Sequence, residues 1–222
     1  CRDYGVESVT LLGWKLSAIE HNVRYLSEYC WNPGLDAKSF YRDYVRRLYG
    51  EPAAPLADLL MEYDLLEPDG PPANPADDRE MLLSAGWSSV VIPPFPTSRP
   101  AMDAEPWRKT VRRSSEIACT QQRCRERDRR AAATIRDILP RLDQQGRAWA
   151  EMLANRFDVR AIYLDSMVAL NESFGAFDAA AGNQGMEAAR KAAAEHVQRA
   201  VDLSREAIET YARVIRNTGD KG

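Results

Sequence analysis

A chain of 222 residues that is 45% apolar, 28% charged and 9% aromatic has the make-up of an ordinary globular protein, with room for one large domain or two small ones. Disordered, collagen-like and disulfide-dense classes are excluded, and a net charge of −3 supplies no overall field to gather nucleic acid. Only two histidines, His21 and His196, are present, too few for an ordinary zinc enzyme or a histidine-based triad. No apolar run approaches the ~20 residues of a membrane span.

The four cysteines, Cys1, Cys30, Cys119 and Cys124, form no C-x-x-C pair. Cys119 and Cys124 are five apart on an expected helix, so their side chains diverge by roughly 140°. They read as buried or incidental thiols, with no metal or other cofactor implied. The chain opens on Cys1-Arg2-Asp3-Tyr4-Gly5, without an initiator Met or a basic and apolar leader, as expected of a piece cut from a longer protein.

Three stretches follow. In 1–66, Val6 and the run Val9 to Leu12, closed by Gly13-Trp14, predict one strand buried on both faces, as in a parallel sheet. Ser17 with Glu20 is a capping-box pattern. The helix it opens carries Ile19, Val23, Leu26 and Cys30 on one face and ends at Asn32-Pro33. Asp36 predicts the cap of a second helix bearing Phe40, Tyr44, Val45 and Leu48, which stops at Gly50. A third helix is expected over about Pro52 to Leu66.

The stretch 67–106 reads mostly as loop. Eleven of the thirteen prolines fall between Pro52 and Pro106, and Pro93-Pro94-Phe95-Pro96 suits neither helix nor central strand. A short helix near Asp77–Leu83 and an extended patch at Ser88–Ile92 are expected within it. Trp87, Phe95 and Trp107 argue that this loop is packed rather than free. From 107 on, the chain reads as three long helices, about 107–139, 142–180 and 186–216, with Gly182-Asn183-Gln184-Gly185 as the last turn. The expected fold is mainly α: an antiparallel bundle of long helices with a short N-terminal β/α remnant.

Charge is uneven. Glu51 to Glu80 holds nine acidic residues and one Arg, and Glu105 to Arg130 holds nine basic and four acidic residues. Both blocks read as solvated helix faces laced with intrahelical pairs. No aromatic residues interleave Arg123–Arg130 to stack bases, so no nucleic-acid partner is expected.

The run Gly5-Val6-Glu7-Ser8-Val9-Thr10-Leu11-Leu12-Gly13-Trp14 leads through a helix to Tyr29-Cys30-Trp31-Asn32-Pro33, and then to a helix closing on Arg47-Leu48-Tyr49-Gly50. It resembles the last β/α unit of (β/α)8 glycoside hydrolases of the α-glucuronidase, hexosaminidase-like and α-N-acetylglucosaminidase-like kinds. In those families a strand ending in Trp feeds a helix, a W-N-P turn and a further helix closing on R-x-Y/F-G. The resemblance covers about fifty residues in its motifs, and the long helices after them only in style. It implies the C-terminal helical portion of a carbohydrate-active hydrolase, with the rest of its own catalytic barrel as partner and carbohydrate as a weak ligand.

Active sites of such barrels form at the C-terminal ends of the strands. Trp14 closes the strand, where its indole can lie under a pyranose ring. Lys15 and His21, with Glu20 and Asn22, follow within two helical turns of the same rim. Substrate-binding candidates are therefore Trp14, Lys15 and His21. Glycoside hydrolysis needs two carboxylates across the scissile bond, and barrels usually place them on earlier strands, so no catalytic residue is assigned. Trp31 reads as a packing plug for the Pro-bounded helix end, and His196, among alanines, as a surface residue. Out of a barrel, residues 1–14 are expected either to abandon the strand and fold against the helices, or to pair with a second copy as a homodimer. The alternative function is a free-standing helical interaction module without enzymatic activity.

Overall fold

The computed structural model describes residues 16–65 and 95–214. Every regular element among them is helical. The strand expected at 6–14, and the helix and extended patch expected within 77–92, lie outside the described residues. The chain divides between Leu66 and Glu67 into two compact units.

The first unit holds α1 (Leu16–Trp31), α2 (Ala37–Tyr49), a 3-10 turn (Glu51–Ala53) and α3 (Ala54–Leu65). Helix α1 is described from Leu16 on and stops two residues before Pro33, which cannot donate to a continuing helix. Asp36 caps α2 as its sequence predicts, accepting from the Ser39 backbone N–H at 2.9 Å. At the other end Gly50 adopts φ +87°, a conformation that favours glycine, and its N–H donates to the Arg46 carbonyl. Between these caps Phe40, Tyr41, Tyr44, Val45 and Tyr49 are buried, and Leu56, Ala57 and Leu60 of α3 complete the core.

The second unit is built on three long helices: α5 (Glu105–Ile138), α6 (Gln144–Gln184) and α7 (Met186–Val214), preceded by the short α4 (Arg99–Asp103). A 3-10 turn at Leu139–Arg141 holds Pro140 and joins α5 to α6, where Asp143 caps α6 through the Gly146 N–H at 2.7 Å. The expected turn at 182–185 is one residue long. Helix α6 runs on through Gly182 to Gln184, because Gly185 alone, at φ +91°, reverses the chain.

Helix α6 packs along both α5 and α7, which make few direct contacts with each other. Its sequence explains this. Buried Ala150, Ala154, Phe157, Ala161, Leu164 and Val168 form one stripe. Ser166, Ala169, Ser173, Phe177 and Ala181 form a second, rotated by about 150° at 100° per residue. The first stripe is flanked by side chains bonded to α5, and the second meets Ala189 and Ala193 of α7. The three helices thus lie as a layer with α6 in the middle. Small residues fill both seams, which lets the backbones approach closely.

Candidate functional site

In the first unit the site expectations fall on α1. Trp14 and Lys15 lie outside the described residues, so only His21 of the three can be placed. It is half-buried on the α1–α2 face, its ring 6.0 Å from Tyr41 and 6.1 Å from Tyr44. Phe40 continues this aromatic group, edge-on to Tyr25 at 5.1 Å and to Tyr41 at 5.4 Å. His21 is therefore held by packing against α2.

Trp31 is not a packing plug: it is 91% exposed. Tyr25 does that job instead. Its ring sits on Phe40 and its hydroxyl donates to the Leu35 carbonyl at 3.4 Å, closing the turn beyond α1. Relieved of the role, Trp31 projects into solvent from the end of α1, and Tyr29 on another face of that turn is 42% exposed. Leaving an indole in water forgoes roughly 1.5–3 kcal/mol that burial would supply.

In the second unit polar side chains converge along the α5–α6 seam. From the Trp107 end of α5 to its Arg136 end, the partners run from Asp178 back to Asp158 on α6, as antiparallel packing requires. The Trp107 indole N–H donates to Asp178 at 2.8 Å, Asn171 donates to Gln121 at 3.1 Å, and Gln122 to Glu172 at 3.4 Å. Arg125 and Arg129 both reach Asp165, at 2.9 and 2.6 Å; Arg160 clasps Asp128, and Arg136 clasps Asp158. Hydrogen bonding to their carboxylates pushes the Arg125 and Arg136 guanidinium groups further above their ordinary range. Two arginines of the basic block, Arg125 and Arg129, thus pair with another helix, alongside pairs within α5 such as Arg112–Glu105. The signal was in the sequence as acidic residues seven apart on α6: Asp158, Asp165 and Glu172.

His196 is not an open surface residue either. It is half-buried, and its Nδ1, shut off from solvent without a hydrogen-bond partner, lies 3.6 Å from Glu172. Glu172 therefore faces side chains from both flanking helices. At the Gly185 end of the layer, Phe95 stacks on Phe174 at 5.3 Å and lies 5.0 Å from Phe177, while Trp107 meets Phe177 edge-on at 5.5 Å. Met102 closes this cluster, and Arg99 donates to the Ala181 carbonyl at 2.7 Å. The segment entering α5 is packed, as its aromatic residues predict at Phe95 and Trp107.

An open depression of about 510 Å3 runs along α7, lined by Glu195, Gln198, Arg199, Asp202, Leu203 and Glu206. All six belong to one helix, and among the described residues no second element converges on it. Among the described residues no group of three His, Cys, Asp or Glu side chains is placed to hold a metal ion, and no helix is long and apolar enough to cross a membrane. Compared with protein-family models, curated proteins and solved structures, the chain matches none.

Proposed function

We propose that this chain is the C-terminal helical portion of a carbohydrate-active glycoside hydrolase, buttressing the catalytic barrel and helping to complete its sugar pocket. The observation that carries this reading is Trp31, presented almost wholly to solvent from the W-N-P turn that bears the family resemblance. An aromatic residue in that position suits a surface supplied from outside the unit. Trp14, Lys15 and His21 are the proposed sugar contacts, and Tyr41 and Tyr44 steady the His21 ring.

On this reading the catalytic carboxylates belong to other strands. The isolated 222-residue chain should leave aryl glycosides unhydrolysed, and the gene should encode seven further β/α units upstream. Turnover by this polypeptide, lost on changing one of its own carboxylates, overturns the reading, and so does an upstream sequence without such units. A helical interaction module is the second reading, favoured by the apolar side chains Trp149, Val201 and Ile208, exposed by 42%, 40% and 69%.

A further inference from the structure

At the Gly185 end of the second unit all three long helices contribute to one aromatic recess. Trp107 of α5, Phe174 and Phe177 of α6, and Ala189 and Ala193 of α7 are buried there. The outer wall of the recess is not a long helix. Phe95 covers the two phenylalanine rings from outside and is itself only half-buried.

Residues 95–104 are fastened differently from the rest of the unit. Among the described residues no backbone hydrogen bond joins them to α6 or α7. Pro96 and Pro100 have no N–H to offer, and a residue before proline is biased towards extended backbone, which suits Phe95 outside any helix. Side chains hold the segment instead. The Phe95 ring lies 5.3 Å from Phe174 and 5.0 Å from Phe177, and four residues on the Arg99 guanidinium donates to the Ala181 carbonyl at 2.7 Å. Ala181 is in the last turn of α6, where carbonyls lack partners within the helix and the dipole is negative, so a cation is favoured there. An extended, proline-bearing segment held by side chains over an aromatic floor is also how proline-rich ligands lie in their grooves.

We propose that this recess is a docking site for an extended peptide of another polypeptide, one that carries an aromatic residue before proline and a basic residue four positions after the aromatic. The chain's own Phe95 and Arg99 fill it in cis and keep it closed. The link from Arg99 to Trp107 is short, so the cis ligand is present at an effective concentration on the order of millimolar, and a partner enters only by competing with it. The site is independent of the glycosidase reading.

The test takes the cis ligand away and offers it back. In the full chain carrying Phe95→Ala and Arg99→Ala, a synthetic peptide of residues 93–101 should shift the Trp107 indole N–H resonance saturably, with a Kd below about 1 mM. With the unaltered chain the same titration should read about tenfold weaker or more, because the site is already filled. Replacing the peptide's Phe by Ala should abolish the response, and replacing its Arg by Ala should weaken it by about tenfold. Loss of helical circular dichroism in the double variant overturns the proposal, since the segment is then an integral part of the core. A variant that folds but gives no saturable response at millimolar peptide overturns it too. So does equal binding by both chains, or by the peptide without its Phe.

Discussion

Arg160 reaches from α6 into the α5 seam and clasps Asp128, a carboxylate with no exposed side-chain surface. Around that clasp the seam is lined by alanines, Ala131, Ala132, Ala154 and Ala161, all buried. Alanine stripes fix separation but hardly register, since one small side chain packs much like the next. An ion pair has a single correct alignment, so here the charged pair sets which turn of α5 faces which turn of α6.

Removing one partner of a buried pair leaves the other charge uncompensated. Asp128→Ala should destabilise the chain by about 3 kcal/mol, the lower end of the usual range because Arg160 retains 21% exposure. Asp128→Leu with Arg160→Leu should be far milder. Urea titrations of the two variants check this; equal losses would deny the pair its alignment role.

Gly182 and Gly185 should respond in opposite directions. A Cβ at either position meets nothing within 4 Å, so sterics with neighbours decide neither. Gly185 combines φ +91° with ψ 176°, a region almost confined to glycine, and Gly185→Ala should cost about 1–3 kcal/mol. Gly182 is helical, and Gly182→Ala should gain roughly 0.5–1 kcal/mol. Thermal melts of both variants separate these outcomes.

Phe177 is wholly buried beneath Phe95 and Trp107. Phe177→Ala should cost about 3–5 kcal/mol and loosen the packing of Phe95 and Trp107. A second readout is the Trp107 fluorescence, which should shift to the red as its ring loses its neighbour.

Acid should weaken the first unit through Asp36 and Asp43. The Ser39 backbone N–H holds Asp36 below its ordinary value of 3.8, and a hydrogen bond from Arg46 does the same for Asp43. A carboxyl with a lowered folded pKa contributes stability that is present above its ordinary value and lost as pH falls through the folded one. Stability should therefore decline between about pH 4 and pH 2, and less so in Asp36→Asn/Asp43→Asn. Parallel acid titrations of the two proteins would refute this by showing identical slopes.

The sequence discloses local devices better than tertiary ones. Asp36 and Gly50 bound α2 as expected, because capping chemistry and glycine's freedom act within a few residues. The long helices and their antiparallel bundle were legible from periodicity and few breakers. The four-residue turn was misjudged, because Gly182 and Gly185 look alike in sequence and only the turn geometry distinguishes them. Trp31 was misplaced for a related reason: Tyr25, six residues earlier, takes the plug position through a contact with Phe40 on another helix. The partners of Arg125, Arg129 and Arg136 lie 22 to 40 residues away, beyond the reach of pattern within one helix.

The single-residue reversal at Gly185 bears on how the chain finds its fold. Residues bordering it, such as Ala181 and Ala189, become neighbours after closing only a very short loop, which costs little chain entropy. Pairing can then spread outward along α6 and α7 one turn at a time, each step shortening the next search. The Pro140 turn offers α5 and α6 a second starting point. Short turns of this kind let each hairpin of helices begin from near-sequence contacts, the class of contact that favours fast folding.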